Sequence, residues 1–279
     1  MNLLAADARA FFAAARKELR QQRRYPTLFL GLLFWPVLLP ASWVLMGHAY
    51  SGNDPQALAA FAERAGSTNV AGFVFVGYAM YMWLSSLLWG VGTSLRQEQV
   101  RGSLEAVFLT PASRLVPLFG PGVGMLIPMS LTFVIMGIAL WLFFGVVPPL
   151  AAVLQAAVVV ALGMPALYAI GSLFAASVLR FGEVGPVVQL IRGMFVLACG
   201  ITFPVAMLPI WAQVGAWLMP PTYIVDDIRR ILLRGASLPD VAPDLAIVLS
   251  LATIIAVLAV VVFRYLETSA RRSGMLGRF

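Results

Sequence analysis

Six long apolar runs alternate with short polar stretches along this chain. They cover approximately residues 27–47, 70–93, 119–144, 150–179, 190–208 and 243–263. A helix of about 20 mainly apolar residues crosses the hydrocarbon layer of a bilayer, and each run comes close to that length. The last reads LAIVLSLATIIAVLAVVVF, without a charge or a proline. None has the polar/apolar alternation of an outer-membrane barrel strand. The pattern predicts an all-α integral membrane protein with six transmembrane helices.

The polar stretches carry patterns of their own. Before the first run, Leu4, Ala8, Phe11, Phe12, Ala15 and Leu19 share one arc of a helical wheel, and Arg9, Arg16, Lys17, Arg20, Arg23 and Arg24 take the adjacent arc. Residues 1–26 are therefore predicted to be an amphipathic helix in the cytoplasmic interface, retained rather than cleaved, ahead of a six-span domain over 27–279. Such a helix suits a surface anchor, or a lever passing a partner's motion to the first span; the two are compatible. Between the second and third runs, residues 96–115 read RQEQVRGSLEAVFLTPASRL. This predicts a short helix with Leu104, Val107 and Phe108 on one side and Glu98, Arg101 and Glu105 exposed, capped by Ser103 and ended by Pro111. A charged amphipathic segment between two spans suits docking into a groove on a partner protein.

Composition agrees with the pattern. The chain is 61% hydrophobic and 11% charged, with a mean hydropathy of +0.91, whereas soluble domains carry about 25% charged residues. Disorder, a disulfide scaffold built on the single Cys199 and a nucleic-acid partner are excluded. Position along the chain gives the charge its meaning. With the N-terminus inside, fifteen of the 19 Lys and Arg fall on the cytoplasmic side, leaving Arg64, Arg229, Arg230 and Arg234 outside. Both termini are then cytoplasmic, in a multi-pass protein of the cell membrane.

Several chemistries lack their raw material. The only lysine, Lys17, follows Arg16, so there is no phosphate-binding Gly-Lys-Ser/Thr loop. The only histidine is His48, so no metal site and no catalytic residue is expected. No Asp, Glu, Lys or Arg is expected in the middle of a span, which weighs against an ion-coupled carrier or an embedded enzyme. Gln155 reads as a hydrogen-bonding partner for a neighbouring helix, and Cys199 as an inert buried thiol. Gly163 and Pro165, like the stretch 120–128, read as breaks or kinks. Gly171 and Ala175 read as a close-contact pair. The outer loop 48–69 is too short for an extracellular domain.

Three motifs in register carry a family resemblance. Glu98, Gly102, Ser103, Leu104, Glu105, Thr110 and Pro111 follow an acidic–x–x–x–Gly-Thr/Ser-Leu-Glu…Thr-Pro pattern. ITFPVAMLPIWAQVGAWLMPPTYIVDDIRRILLRG (201–235) follows a Phe-Pro…Leu-Pro…Pro-Pro…Tyr…Arg…Gly pattern, and the tail from Phe263-Arg264 through Arg271, Arg272, Gly274, Leu276 and Gly277 is basic in the same way. Together they resemble the permease subunits of ABC-2 type transporters, in the drug-exporter (daunorubicin-resistance-like) branch.

The resemblance implies a homodimeric or related heterodimeric permease docked on two copies of a separate ATPase, which would bind the ATP and Mg. No cofactor is implied in this chain itself. Glu98, Arg101, Gly102, Ser103, Leu104, Glu105, Phe108, Thr110 and Pro111 would form the coupling helix, with a secondary contact from Arg180, Glu183 and Arg192 in a 180–192 loop. Segment 201–235 would form re-entrant helices closing the outer exit, with Phe203, Pro204, Pro220, Pro221 and Tyr223 at the gate. Asp226 and Asp227 lie within helical reach of Arg229, Arg230 and Arg234 and suit ion pairs there; a helix-end role and a gating role both remain open for these charges. Phe75, Tyr78 and Met82 on the second span, with Phe195 and Phe203 on the fifth, are candidates for the substrate path, although such residues more often serve packing and interface anchoring. The implied activity is export of a hydrophobic or amphiphilic molecule. A lipid or polysaccharide-precursor flippase and a non-transporting membrane anchor are the alternatives.

Overall fold

The computed structural model describes residues 27–51, 54–100, 126–178 and 185–273, together with Arg9, Phe12, Ala13, Arg16, Arg20 and Arg24. Every described element is helical: α1 (Thr27–Ser51), α2 (Pro55–Ala65), α3 (Val70–Val100), α4 (Leu126–Phe144), α5 (Leu150–Val178), α6 (Gly185–Ala198), a 3-10 turn (Val205–Met207), α7 (Ile210–Trp217), α8 (Pro220–Arg234) and α9 (Leu238–Ser273). The six residues described before Thr27 are helical and exposed, Phe12 at 71%.

α3 forms the centre. All residues from 71 to 80 are buried, and α1, α4, α5, α6 and α8 pack around the helix. α9 lies along the far side of α5. Three helices are long and apolar enough to cross a membrane, over Val70–Thr93, Leu150–Ala175 and Leu238–Tyr265; Met129–Phe144 and Gly185–Ala198 are shorter apolar helices. The Val70–Thr93 segment is mostly covered by its neighbours, while the other two turn most of their residues outward. Leu154, Val158 and Leu162 of α5 and Ile254, Val257 and Val261 of α9 are exposed apolar side chains. A surface of that kind is stable against acyl chains and not against water.

Small residues set the closest approach of α3 to α5. A Cβ on Gly92 would stand 2.5 Å from the Phe174 ring, and one on Gly171 would touch Val91 and lie 3.7 Å from the Leu87 carbonyl. The small pair at Gly171 and Ala175 thus faces α3 as its spacing suggests.

Three expectations are corrected. The run 190–208 is not one helix: α6 occupies Gly185–Ala198 and stops at Gly200, whose φ of +67° is the left-handed conformation that ends helices. Hydropathy alone cannot see this, because the residues after the stop are as apolar as those before it. For the same reason the loop expected over 180–192 is cut short by the start of α6 at Gly185. Finally, α5 runs unbroken through Gly163 and Pro165, and Gly163 provides room for Ile224, whose Cδ1 would stand 2.6 Å from an added Cβ.

The loop 48–69 also holds a helix that hydropathy passed over. Asp54 caps α2 by accepting from the Gln56 N–H at 3.0 Å, Pro55 follows in the first turn, and Gly66 closes the helix in the left-handed region.

Candidate functional site

The polar chemistry of the described residues converges on α8. Met219 precedes the helix in an extended conformation and Pro220 and Pro221 open it, their fixed φ suiting a first turn whose N–H groups have no partner within the helix, so that none is lost. Thr222 Oγ1 donates to the Ala216 carbonyl at 2.6 Å and joins α8 to α7. Ile224, Val225, Ile228 and Ile231 are buried, one face of the helix being wedged between α3, α5 and α9.

Three arginines on α8 each reach the end of another element. Arg229 is 3% exposed. Its Nη1 donates to the Gly200 carbonyl at 2.6 Å, its Nη2 to Ile201 at 2.9 Å and Phe73 at 2.8 Å, and its Nε to Phe73 at 3.1 Å. The guanidinium carbon lies 3.3 Å from the centre of the Phe73 ring. These partners are neutral carbonyls, and the cation is stabilised by the negative end of α6 and by the ring face rather than by a carboxylate. Arg234 donates to the Ala65 carbonyl at the end of α2 and lies 3.4 Å from Asp226. Arg230 donates to the Asp240 carbonyl at 3.1 Å and to the Asp244 carboxylate at 2.7 Å, both at the start of α9.

Gly77 makes the Arg229 site possible. A Cβ there would stand 2.2 Å from the Ile201 carbonyl oxygen and 2.5 Å from Arg229 Nη2. Only glycine lets α3 approach the turn after α6 this closely.

Of the expected ion pairs, Arg234 with Asp226 forms, while Arg230 only approaches Asp227 at 3.7 Å. Arg230 is closer to Asp244, and Arg229 has no carboxylate partner in the described structure. Asp227 is fully buried, with no hydrogen-bond donor on either oxygen. Burial first, and then the charge of Asp244, push its carboxyl up to about 8 against the opposing pull of Arg230. Asp227 therefore keeps its proton at neutral pH. The start of α9 is further secured by Ser237, whose Oγ and N–H donate to Asp240 at 2.6 and 2.8 Å, and by Gln155, whose Oε1 accepts from Leu238 N–H at 2.9 Å.

The sequence-predicted gate residues flank α7 at this same end. Pro204 is buried at the start of the 3-10 turn, Pro220 and Pro221 are buried at the start of α8, and Phe203 and Tyr223 are half-buried. Tyr223 meets Trp217 edge-on at 4.9 Å. α7 exposes Ile210 and Trp211 almost entirely.

The substrate-path candidates do not share one open face. Phe75 is buried edge-on against Phe144 at 5.4 Å and Tyr78 against Tyr81 at 5.7 Å, Phe195 is buried, and Met82 is half-buried. Of the coupling residues, Glu98 falls in the last turn of α3, while Arg101, Gly102, Ser103, Leu104, Glu105, Phe108, Thr110 and Pro111 lie outside the described residues. So do Arg180 and Glu183. Arg192 does not sit in a loop: it is the eighth residue of α6, with its guanidinium 5.2 Å from the centre of the Tyr81 ring.

Comparison with known proteins supplies one match and one blank. The family model described as ABC-2 type transporter matches residues 9–233. A search of curated proteins returns no match.

Proposed function

Because the chain belongs to the ABC-2 type transporter family, we propose that it is the permease of an exporter that moves a hydrophobic or amphiphilic molecule outward. The membrane domain of this family is the permease component of an ABC transporter and works with a separate ATPase subunit. The single observation that carries the assignment is the extent of the match, from the N-terminal segment through α8. It spans the residues of the coupling motif and all but the last two residues of the 201–235 segment. Six spans, cytoplasmic termini, the drug-exporter branch and a dimer of permeases on two ATPases complete the proposal.

In this reading ATP and Mg are held by the partner, and the chain converts the partner's closure into helix movement. Leu104 and Phe108 would fill an apolar pocket and Glu98, Arg101 and Glu105 would pair with partner charges, with Gly102, Ser103, Thr110 and Pro111 shaping the helix. Arg180 and Glu183 would add a second contact. Phe203, Pro204, Pro220, Pro221 and Tyr223 would close the outer exit. The α8 arginines support that placement: they bind the ends of α2, α3, α6 and α9 into one unit. Such a unit can act as a stiff outer cap while the opposite end is pulled.

Co-expression with a candidate ABC ATPase, purification of the pair and ATP hydrolysis in lipid test the assignment. A stable pair whose hydrolysis responds to added amphiphiles is expected. Failure to form a complex with any co-encoded ATPase would contradict it.

A further inference from the structure

α6 carries a charge where the pattern of the sequence places none. Tyr81 is the twelfth residue of the 24-residue apolar segment Val70–Thr93, so at 1.5 Å per residue it lies about 17 Å from either end. Arg192 is held over that ring, which sets its charge beside the middle of that apolar segment. Its Nη1 donates to Gln189 Oε1 at 2.9 Å, one turn back on the same helix. Its Nε is buried without a hydrogen-bond partner. Among the described residues no carboxylate comes within ion-pair distance of it; the recorded pairs all belong to Arg230 and Arg234.

An arginine at this depth is costly and is normally paired, lines a polar path, or snorkels to the surface. Snorkelling toward the Gly185 end would carry the guanidinium away from mid-span, yet it stays over Tyr81. Arg229 shows how this fold satisfies an arginine that is purely structural: all three of its nitrogens donate, to three carbonyls. Arg192 lacks that arrangement. Its flank is open as well, Gln189 being exposed and Arg192, Tyr81 and Met82 half-buried. The arrangement therefore offers a fixed cation without a carboxylate partner among the described residues, a neighbouring amide and an aromatic face, with apolar surface on either side.

We propose that Arg192, with Gln189 and Tyr81, binds the anionic headgroup of an amphiphilic cargo, a phosphate or carboxylate joined to an apolar body, at the α3–α6 flank in the middle of the membrane. The proposal rests on the permease reading and narrows its substrate to anionic amphiphiles. A guanidinium donates to a two-oxygen anion through parallel N–H groups, and the low dielectric of the site strengthens that contact. The apolar body would lie along α3 toward Met82.

The test uses the full chain in phosphatidylcholine nanodiscs with oleoyl lysophosphatidic acid as the probe. Neutral monooleoylglycerol and millimolar inorganic phosphate are the comparison ligands. Arg192→Gln is expected to weaken lysophosphatidic acid binding about ten- to a hundredfold and to leave monooleoylglycerol binding unchanged. Gln189→Glu supplies the missing counter-ion from within the chain, so it should fold and lose the anionic probe to a similar extent. Equal affinity for the probe in either variant would overturn the site, as would equal loss of the neutral lipid. Displacement by inorganic phosphate would overturn the assignment to an amphiphile and leave a simple anion site. No ATPase enters the measurement, so a failure here leaves the permease reading standing, and a missing ATPase partner leaves this site standing.

Discussion

Arg229 and Asp227 stand two positions apart on α8 and solve the same problem in opposite ways. Both are buried. Arg229 keeps its charge because its donors meet the carbonyls of Phe73, Gly200 and Ile201, and hydrogen bonds to charged groups contribute about 1.5–3 kcal/mol each. Asp227 has no donor to meet and keeps its proton instead. The charged groups around it are Asp226 and Arg230 on α8 and Asp244 on α9. Because its folded pKa of about 8 lies above the ordinary carboxylate value, the native state holds a proton that the unfolded chain releases. Asp227's contribution to stability is therefore fully present at low pH, is lost as pH rises from the ordinary carboxylate range toward 8, and changes no further above it. Asp227→Asn should remove that slope. Thermal unfolding in detergent between about pH 5 and pH 9 reads it directly: the wild type should lose stability across the window and the variant should stay flatter. Parallel profiles would show that Asp227 does not titrate in the folded protein.

At the scale of elements, caps decide where helices begin and end in a chain whose hydropathy hardly varies. Gln155 on α5 supplies the acceptor for the Leu238 N–H, across 83 residues of sequence. Gln155→Ala should cost about 1 kcal/mol, the usual value of a lost N-terminal cap, and should speed amide exchange at the first turn of α9. Unchanged exchange there would mean that Ser237 and Asp240 suffice alone. The pattern of the sequence located α1, α3, α5 and α9, since the runs 27–47, 70–93, 150–179 and 243–263 each fell within or almost within one helix. It anticipated the bond from Gln155 to a neighbour, whereas the short helices around 201–235 were expected from the family resemblance alone. It did not reveal the stop at Gly200, because an apolar segment stays apolar on both sides of a turn. Nor did it reveal that Arg192 stands on α6 over the Tyr81 ring, where a loop had been drawn to residue 192. α2 was legible from Asp54, Pro55 and Gly66, though not from hydropathy. The contacts of Arg230 with Asp244 and of Arg229 with Phe73 join residues distant in sequence, so only the fold could bring them to light.

For the whole molecule, α3 is covered on nearly every side while α5 and α9 face outward, so the chain is organised around one buried helix. Movement of α3 relative to α8 would have to break the Arg229 contacts at one end, whereas the other end of the helix leads directly into the coupling motif after Val100. The motif's proposed role as the contact with an ATPase is the central mechanistic claim of the permease reading. Glu105→Arg reverses a charge that should pair across that contact, and truncating such an anchor typically costs about 2 kcal/mol or more of binding energy. The decisive measurement compares ATP hydrolysis and amphiphile export by the purified pair in liposomes, with and without Glu105→Arg. We expect the variant to fold and insert normally, to lose export, and to leave hydrolysis unresponsive to the amphiphile. Export at the wild-type rate would contradict the assignment of residues 96–115 as the coupling helix.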